Sequence, residues 1–203
     1  MFSIKESIKY GWAKFKENKE ISLLTTLLLL AVGAVGSDKE MHLSNFVFNL
    51  AVIVFLLIIR IGYNKIYLKI HDGEQTKFSD IFQEYKTFWR YIGVSILVPL
   101  TVLGGLILLI IPGLIWLVRF SFAPIIVIDT AMGPIKSMKE SYAITKGNFW
   151  KLTLFWIVLA LLNLAGLILV GVGLLVSVPV STLAYIYIYR NLTQSKAAVA
   201  TVV

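Results

Sequence analysis

The stretch NFWKLTLFWIVLALLNLAGLIL, residues 148–169, has a near-copy 61 residues earlier, TFWRYIGVSILVPLTVLGGLIL, residues 87–108. At that offset Phe88, Trp89, Ile96, Leu100, Leu103, Gly105, Leu106, Ile107 and Leu108 recur as Phe149, Trp150, Ile157, Leu161, Leu164, Gly166, Leu167, Ile168 and Leu169. Apolar coincidences are expected in so greasy a chain. The paired Phe-Trp and Gly-Leu-Ile-Leu blocks are not. Each copy opens on aromatic and basic residues and continues through an apolar run long enough to cross a bilayer, for which about 20 residues suffice.

The rest of the chain has the same character. Hydrophobic residues make up 58% of the 203 and charged ones 15%, and the mean hydropathy is +0.84. This is more apolar surface than a water-soluble domain of that length can bury, so the chain belongs in a bilayer. Runs without Asp, Glu, Lys or Arg cover 21–36, 43–59, 91–118, 120–128 and 152–189.

The third and last runs are too long for single spans. The third divides at IIPGL, 110–114, where Pro112 and Gly113 disfavour a continuous helix. The last divides at GVG, 171–173, through Gly171 and Gly173. The expected architecture is an all-α integral membrane fold with six transmembrane helices in three hairpins. Its spans fall near 21–36, 45–63, 91–110, 113–128, 151–170 and 174–190. These form one polytopic domain over 1–190, and 191–203 is left as a short tail. A secretory signal peptide competes for the first span, because Ala34 and Gly36 have cleavage-like spacing. Its long basic leader, with Ile4, Ile8, Trp12 and Phe15 on one helical face, is unlike the short start of such a peptide.

Basic residues set the orientation. The leader carries Lys5, Lys9, Lys14, Lys16 and Lys19. The second connection carries Arg60, Lys65, Lys69, Lys77, Lys86 and Arg90, and the third carries Lys136, Lys139, Lys146 and Lys151. The other side receives SDKEMHLS, 37–44, with Lys39 alone. By the positive-inside rule both termini are expected to be cytoplasmic. A net charge of +8 spread along span ends does not make the continuous basic surface that nucleic acid requires.

The basic connections are patterned as helices. Phe78, Ile81, Phe82, Tyr85 and Phe88 share one face of the second, and Ile135, Met138, Tyr142 and Thr145 share one face of the third. Pro134 suits the first turn of that third helix and Gly147 its C-terminal cap. Each hairpin is therefore expected to follow an amphipathic interfacial helix, anchored by Trp12, Trp89 and Trp150, whose lysines reach anionic lipid phosphates. All three hairpins run the same way, as parallel repeats.

The segments GLILLIIPGLIWLVRFSFAPIIVID (105–129), GPIKSMKESYAITKGNFWKL (133–152) and GVGLLVSVPV (171–180) resemble a bacterial membrane domain known from its fusion to some glycerophosphoryl diester phosphodiesterases and from stand-alone six-span proteins. The resemblance is close from the third span onward and extends to the earlier spans by layout. It implies a polytopic membrane domain and transfers no active site. The phosphodiesterase barrel takes about 250 residues, and no soluble segment here approaches that length.

No catalytic constellation stands out. His42 and His71 fall on opposite sides and are read as solvated. Asp72, Glu74, Asp80 and Glu84 are interspersed with lysines, as a solvated helix face would be. Gly104 and Gly105 lie within an apolar span, where close packing is glycine's ordinary use. Ser95, Ser121, Ser177 and Thr182 lack a nearby activating base. No enzyme activity, cofactor or metal is expected.

Arg119 is the exception. It lies about six residues, or roughly 9 Å of helix rise, past the IIPGL turn. No predicted span offers a carboxylate, and a charge near the bilayer centre costs at least about 2.5 kcal/mol. It either braces the bundle or binds an anion, with Asn163 as its nearest candidate polar companion. Asn163 alone reads more readily as an interhelical hydrogen-bonding residue. Pro99, Pro124 and Pro179 are expected to kink their spans. The leading functional expectation is non-catalytic binding of anionic membrane lipids, or of partner membrane proteins, through Lys77, Lys86, Arg90, Lys146 and Lys151. The alternative is a small permease or transporter subunit that handles an anionic solute or lipid through Arg119.

Overall fold

A computed structural model describes residues 2–35, 46–82, 87–168 and 172–200. The regular elements among them are all helical: α1 (Ile4–Glu17), α2 (Lys19–Val35), α3 (Phe46–Asp72), α4 (Phe88–Leu108), α5 (Ile110–Arg119), α6 (Ala123–Thr130), α7 (Pro134–Thr145), α8 (Phe149–Ile168) and α9 (Leu174–Ala200), with a 3-10 turn at Phe78–Phe82. Lys86, Gly171 and His42 lie outside the described residues.

Four stretches are long and apolar enough to cross a membrane: Phe48–Asp72 in α3, α4, Ile110–Thr130 across α5 and α6, and α8. This is two fewer than the sequence suggests. Helix α2 has only 17 residues, about 25 Å of rise. Helix α9 dilutes its apolar residues with Ser177, Pro179, Ser181 and Thr182. The exterior of the bundle is greasy: Ile107, Leu108, Leu109, Ile110 and Ile111 are 68–84% exposed. Such a patch has no place in water and is natural in hydrocarbon, which makes this a helical membrane protein.

The bilayer also requires that backbone groups find partners within the protein. At the α4–α5 turn the Leu109 N–H donates to Gly105 C=O at 3.0 Å and the Gly113 N–H to Leu109 C=O at 3.4 Å. The break therefore falls at extended Leu109 (φ −160°), ahead of the expected Pro112–Gly113. Pro112 sits in the first turn of α5, where its missing N–H would have had no helical partner anyway. Gly113 has a packing role: a Cβ there would meet Leu106 Cγ at 2.5 Å, and one on Gly105 would meet Gly113 Cα at 3.0 Å. The α8–α9 hairpin repeats the device, since a Cβ on Gly173 would lie 2.5 Å from Gly166 O.

The fourth predicted span is interrupted at 120–122, and Pro124 opens α6 instead of kinking a continuous helix. Pro99 and Pro179 do lie inside α4 and α9. Residues 191–200, expected as a separate tail, prolong α9.

The interfacial helices differ from expectation in three ways. Helix α1 has its most extensive interface with α9, and it buries Ser7, Gly11 and Phe15 while Trp12 stays 47% exposed. The reason is close approach, because a Cβ on Gly11 would meet Val180 O at 2.5 Å. The second connection forms a 3-10 turn folded onto α3, with Ile81 fully buried and its backbone against Gly62. Asp80 in that turn accepts from Lys69 Nζ at 3.0 Å and the Lys77 N–H at 3.3 Å. Burial alone favours its neutral form, yet these two donors outweigh burial and hold the carboxyl below its usual range. The Asp80 side chain is thus buried and paired, in place of the expected solvated face.

Helix α7 does start at Pro134, and Gly147 follows its cap with a left-handed φ of +84°. It turns Ser137, Ser141, Ile144 and Thr145 toward the protein. Its apolar face, Ile135, Met138 and Tyr142, is directed into an open groove instead.

One charged cluster ties helix ends together. Arg190 of α9 donates from Nη1 and Nη2 to the two Asp129 carboxylate oxygens at 2.7 and 3.0 Å, and from Nη2 to Asp72 Oδ2 at 2.5 Å. Tyr189 Oη donates to Asp129 Oδ2 at 2.7 Å. His71, expected to be solvated, has a side chain only 16% exposed, with Nδ1 3.2 Å from Asp72 Oδ1 and Tyr10 and Tyr187 packed on its ring. Burial first, and the Asp72 charge second, push the Tyr10 hydroxyl up to about 12. It therefore keeps its proton and donates to His71 C=O at 3.4 Å.

Because Arg190 and Asp129 share one bidentate pair, Asp129→Asn and Arg190→Gln should each lower unfolding free energy by about 1.5–3 kcal/mol, the worth of hydrogen bonds to charged groups. The double variant should cost clearly less than the sum. Thermal melting of the four proteins in one detergent checks this, and strictly additive losses would show that the pair is not coupled.

Candidate functional site

Arg119 ends α5, and the 120–122 turn that follows exposes its backbone carbonyl. Ser141 Oγ donates to that carbonyl at 2.7 Å and Thr145 Oγ1 at 3.4 Å, while the Phe122 N–H donates to Ser141 Oγ at 3.2 Å. Two hydroxyls of α7 thus occupy the broken part of the helix, where a bilayer would otherwise leave polar backbone unmet. The guanidinium itself stacks on Tyr142, with Cζ 5.1 Å from the ring centroid. Its Nε and Nη1 are buried and have no hydrogen-bond partner.

Beside this arginine lies a groove of about 570 Å³ between α4 and α7. Leu97, Thr101, Ile135 and Met138 line it together with Phe120, Lys139 and Tyr142. Tyr142 is thus shared between the groove wall and the stacking contact with Arg119. The groove is thus a mainly apolar trough with Lys139 in its wall, linked to the Arg119 guanidinium through Tyr142.

Asn163 is not a companion to Arg119. Its Nδ2 donates to Leu159 C=O at 2.9 Å and to Ser181 Oγ at 3.1 Å, which makes it the interhelical hydrogen-bonding residue between α8 and α9. Ser121 and Thr182 are likewise engaged locally, with Val118 C=O and Val178 C=O. The basic candidates are dispersed. Lys77 and Lys146 have exposed side chains, Lys151 is half-buried, and Arg90 donates through Nη1 to Ala131 C=O at 2.5 Å, just past the end of α6.

The aromatic anchors behave alike. Trp89 and Trp150 are 78% and 80% exposed, and each stands edge-on to its preceding phenylalanine, at 5.5 Å and 73° and at 5.2 Å and 72°. Trp12 is exposed too and carries Lys16 Nζ 5.7 Å above its ring.

Asp129, Tyr189, Arg190 and the Ser141–Thr145 pair escape a sequence reading. The available signal was positional: Asp129 and Arg190 each end an apolar run, as charges that hold helix ends together would. Among the described residues no three of His, Asp and Glu gather closely enough to hold a metal ion.

The chain is 30% identical to an uncharacterized protein of Mycobacterium bovis, over 95% of this chain and 69% of that protein. An uncharacterized protein of Mycobacterium tuberculosis matches with the same identity and coverage. Over 50% of this chain and 45% of the relative, it is 37% identical to a UPF0259 membrane protein of Sodalis glossinidius. No family model and no solved structure matches, so the likeness to the phosphodiesterase membrane domain stands on its quoted motifs alone. With its apolar helices and this near-complete coverage, the chain belongs to the family of the uncharacterized mycobacterial proteins.

Proposed function

We propose that this chain is a six-span, non-catalytic protein of a bacterial cytoplasmic membrane that binds anionic lipid in the α4/α7 groove beside Arg119. One observation carries the reading: the Nε and Nη1 donors of Arg119 are buried and unpaired behind a trough whose wall includes Lys139. A lipid phosphate that reached past Tyr142 would supply the acceptors these donors lack, and the acyl chain would lie on the Leu97, Ile135 and Met138 side of the groove. The likeness to a relative named as a UPF0259 membrane protein supports the membrane setting.

The six-span reading adds α2 and α9 to the four apolar stretches. It is supported by the absence of charge from Ile21 to Val35 and from Leu174 to Tyr189. The internal repeat is supported by the matched Phe-Trp geometry and by the two glycine-on-glycine hairpin turns. Cytoplasmic termini follow from the lysine distribution. Because the chain has no cysteine, single cysteines report topology cleanly. Cysteine at Ser37 should react with an impermeant maleimide in intact cells, and cysteine at Thr76 or Lys136 should not; the reverse pattern would invert the protein.

The lipid site is tested with wild type, Arg119→Lys and Arg119→Leu in detergent, each melted with and without dioleoyl phosphatidic acid. The lipid should raise the wild-type midpoint. The leucine variant should lose more than about half of that shift, and the lysine variant a large part of it, because a point charge cannot reproduce the planar fork. Equal shifts in all three proteins would leave Arg119 as a brace and remove the lipid site.

A further inference from the structure

A second groove, of about 310 Å³, lies between α3 and α8 with α9 as its floor. Its polar lining comes from Asn64, Trp156, Asn163, Ser181, Thr182 and Tyr185, and no lining side chain is charged. An ion drawn in from water would lose its solvation with nothing to compensate it, so the groove selects neutral ligands.

Most of these polar groups are already engaged within the protein. Tyr185 Oη donates to Ser121 C=O at 3.0 Å. Thr182 Oγ1 donates to Val178 C=O at 3.0 Å and lies 3.5 Å from Tyr63 Oη. Ser181 accepts from Asn163 Nδ2, and Asn64 Nδ2 donates to Arg60 C=O. Two atoms remain buried without a partner: the Trp156 Nε1 donor and the Asn163 Oδ1 acceptor. The assignment of the Asn163 amide follows from its neighbours, since the Leu159 carbonyl requires a donor and so takes Nδ2.

The unmet pair is two helical turns apart on one face of α8, a rise of roughly 10 Å. That spacing of the two residues along α8 suits a ligand with an acceptor carbonyl at one end and a hydroxyl donor at the other. On its outer side α8 presents Ile157, Leu161 and Leu164, all 51–59% exposed, a surface for acyl chains. The volume is far beyond what one water needs, yet too small for a whole lipid.

We propose that this groove binds the glycerol head of a neutral glycerolipid with a free hydroxyl: an ester carbonyl accepts from Trp156 Nε1, the hydroxyl donates to Asn163 Oδ1, and the acyl chains lie along α8. The site is separate from the Arg119 groove in both residues and charge.

The test uses the full chain in detergent as wild type, Trp156→Phe, Asn163→Leu and Arg119→Leu, melted against dioctanoylglycerol and against its acetylated form. Dioctanoylglycerol should raise the wild-type midpoint saturably and the acetylated lipid should do so at most weakly. Trp156→Phe and Asn163→Leu should each lose at least half of the shift, while Arg119→Leu keeps it. Trp156→Phe retains an aromatic ring against Tyr185 and carries the test alone if Asn163→Leu does not fold. No shift in wild type, equal shifts in the wild-type, Trp156 and Asn163 proteins, an acetylated lipid that works as well, or loss of the shift in Arg119→Leu would each overturn the proposal. Failure here leaves the phosphatidic acid result at Arg119 standing, so the two readings fail separately.

Discussion

A polar group carried into hydrocarbon has to find its partner inside the protein, and this constraint shapes the bundle more than any apolar contact does. Lipid is as apolar as leucine, so burying leucine between helices offers little advantage over exposing it. What the fold visibly organises is the meeting of polar groups. Ser141 and Thr145 reach the carbonyl at the broken α5–α6 junction, Asn163 joins α8 to Ser181, and Thr26 lies within 3.4 Å of both Tyr63 and Tyr67 hydroxyls. Against that background, four of the buried side-chain atoms left without partners concentrate at Arg119 and at the Trp156–Asn163 face. The remaining three among the described residues are Ser22 Oγ, Ser177 Oγ and Arg190 Nε.

Close approach is the second requirement, because dispersion forces decay within a fraction of an ångström. Glycine provides it at the contacts that fix topology: Gly11 against Val180, Gly62 against Ile81, Gly105 with Gly113, and Gly166 with Gly173. The first of these explains why α1 docks on α9 instead of floating at the headgroups. Its Ser7 and Gly11 stripe lets the backbones meet, and Phe15 closes the contact. The charged residues at the helix ends then act as a belt. Arg190 alone joins the last residue of α3 to Asp129 of α6, holding together helices whose apolar surfaces would separate in lipid at little cost.

The class of fold was legible because hydropathy reports burial in lipid directly. Pro134 and Gly147 were legible because backbone chemistry is local. The break at Leu109 in place of Pro112 was not, since a proline in the first turn is compatible with a helix beginning just before it. Asp80 and His71 were misread as solvated for a different reason, and Asp72, though exposed, has an ion pair that the sequence did not show. Their partners Lys69, Tyr10 and Arg190 lie 11, 61 and 118 residues away, and one-dimensional charge spacing carries no information about such pairs. Arg119 was conspicuous as a lone charge in an apolar run, but its setting depends on α7, which reaches it only through the tertiary fold.

On the 61-residue register, the two later hairpins share a skeleton and differ in their polar residues. The position matching Arg119 is Val180, which packs beneath Gly11. The position matching Asn163 is Val102, 8% exposed. Arg119 and Asn163 each bear an unpaired buried atom where the matching position is valine. As proposed, a charge at one site and an uncharged amide at the other would select opposite headgroups, because the desolvation that an anion avoids by pairing with Arg119 is uncompensated beside Asn163. If both proposed sites are occupied, the two later helix pairs would hold unlike lipids at once. Such an arrangement would differ from a transporter built around one midplane site shared by its repeats.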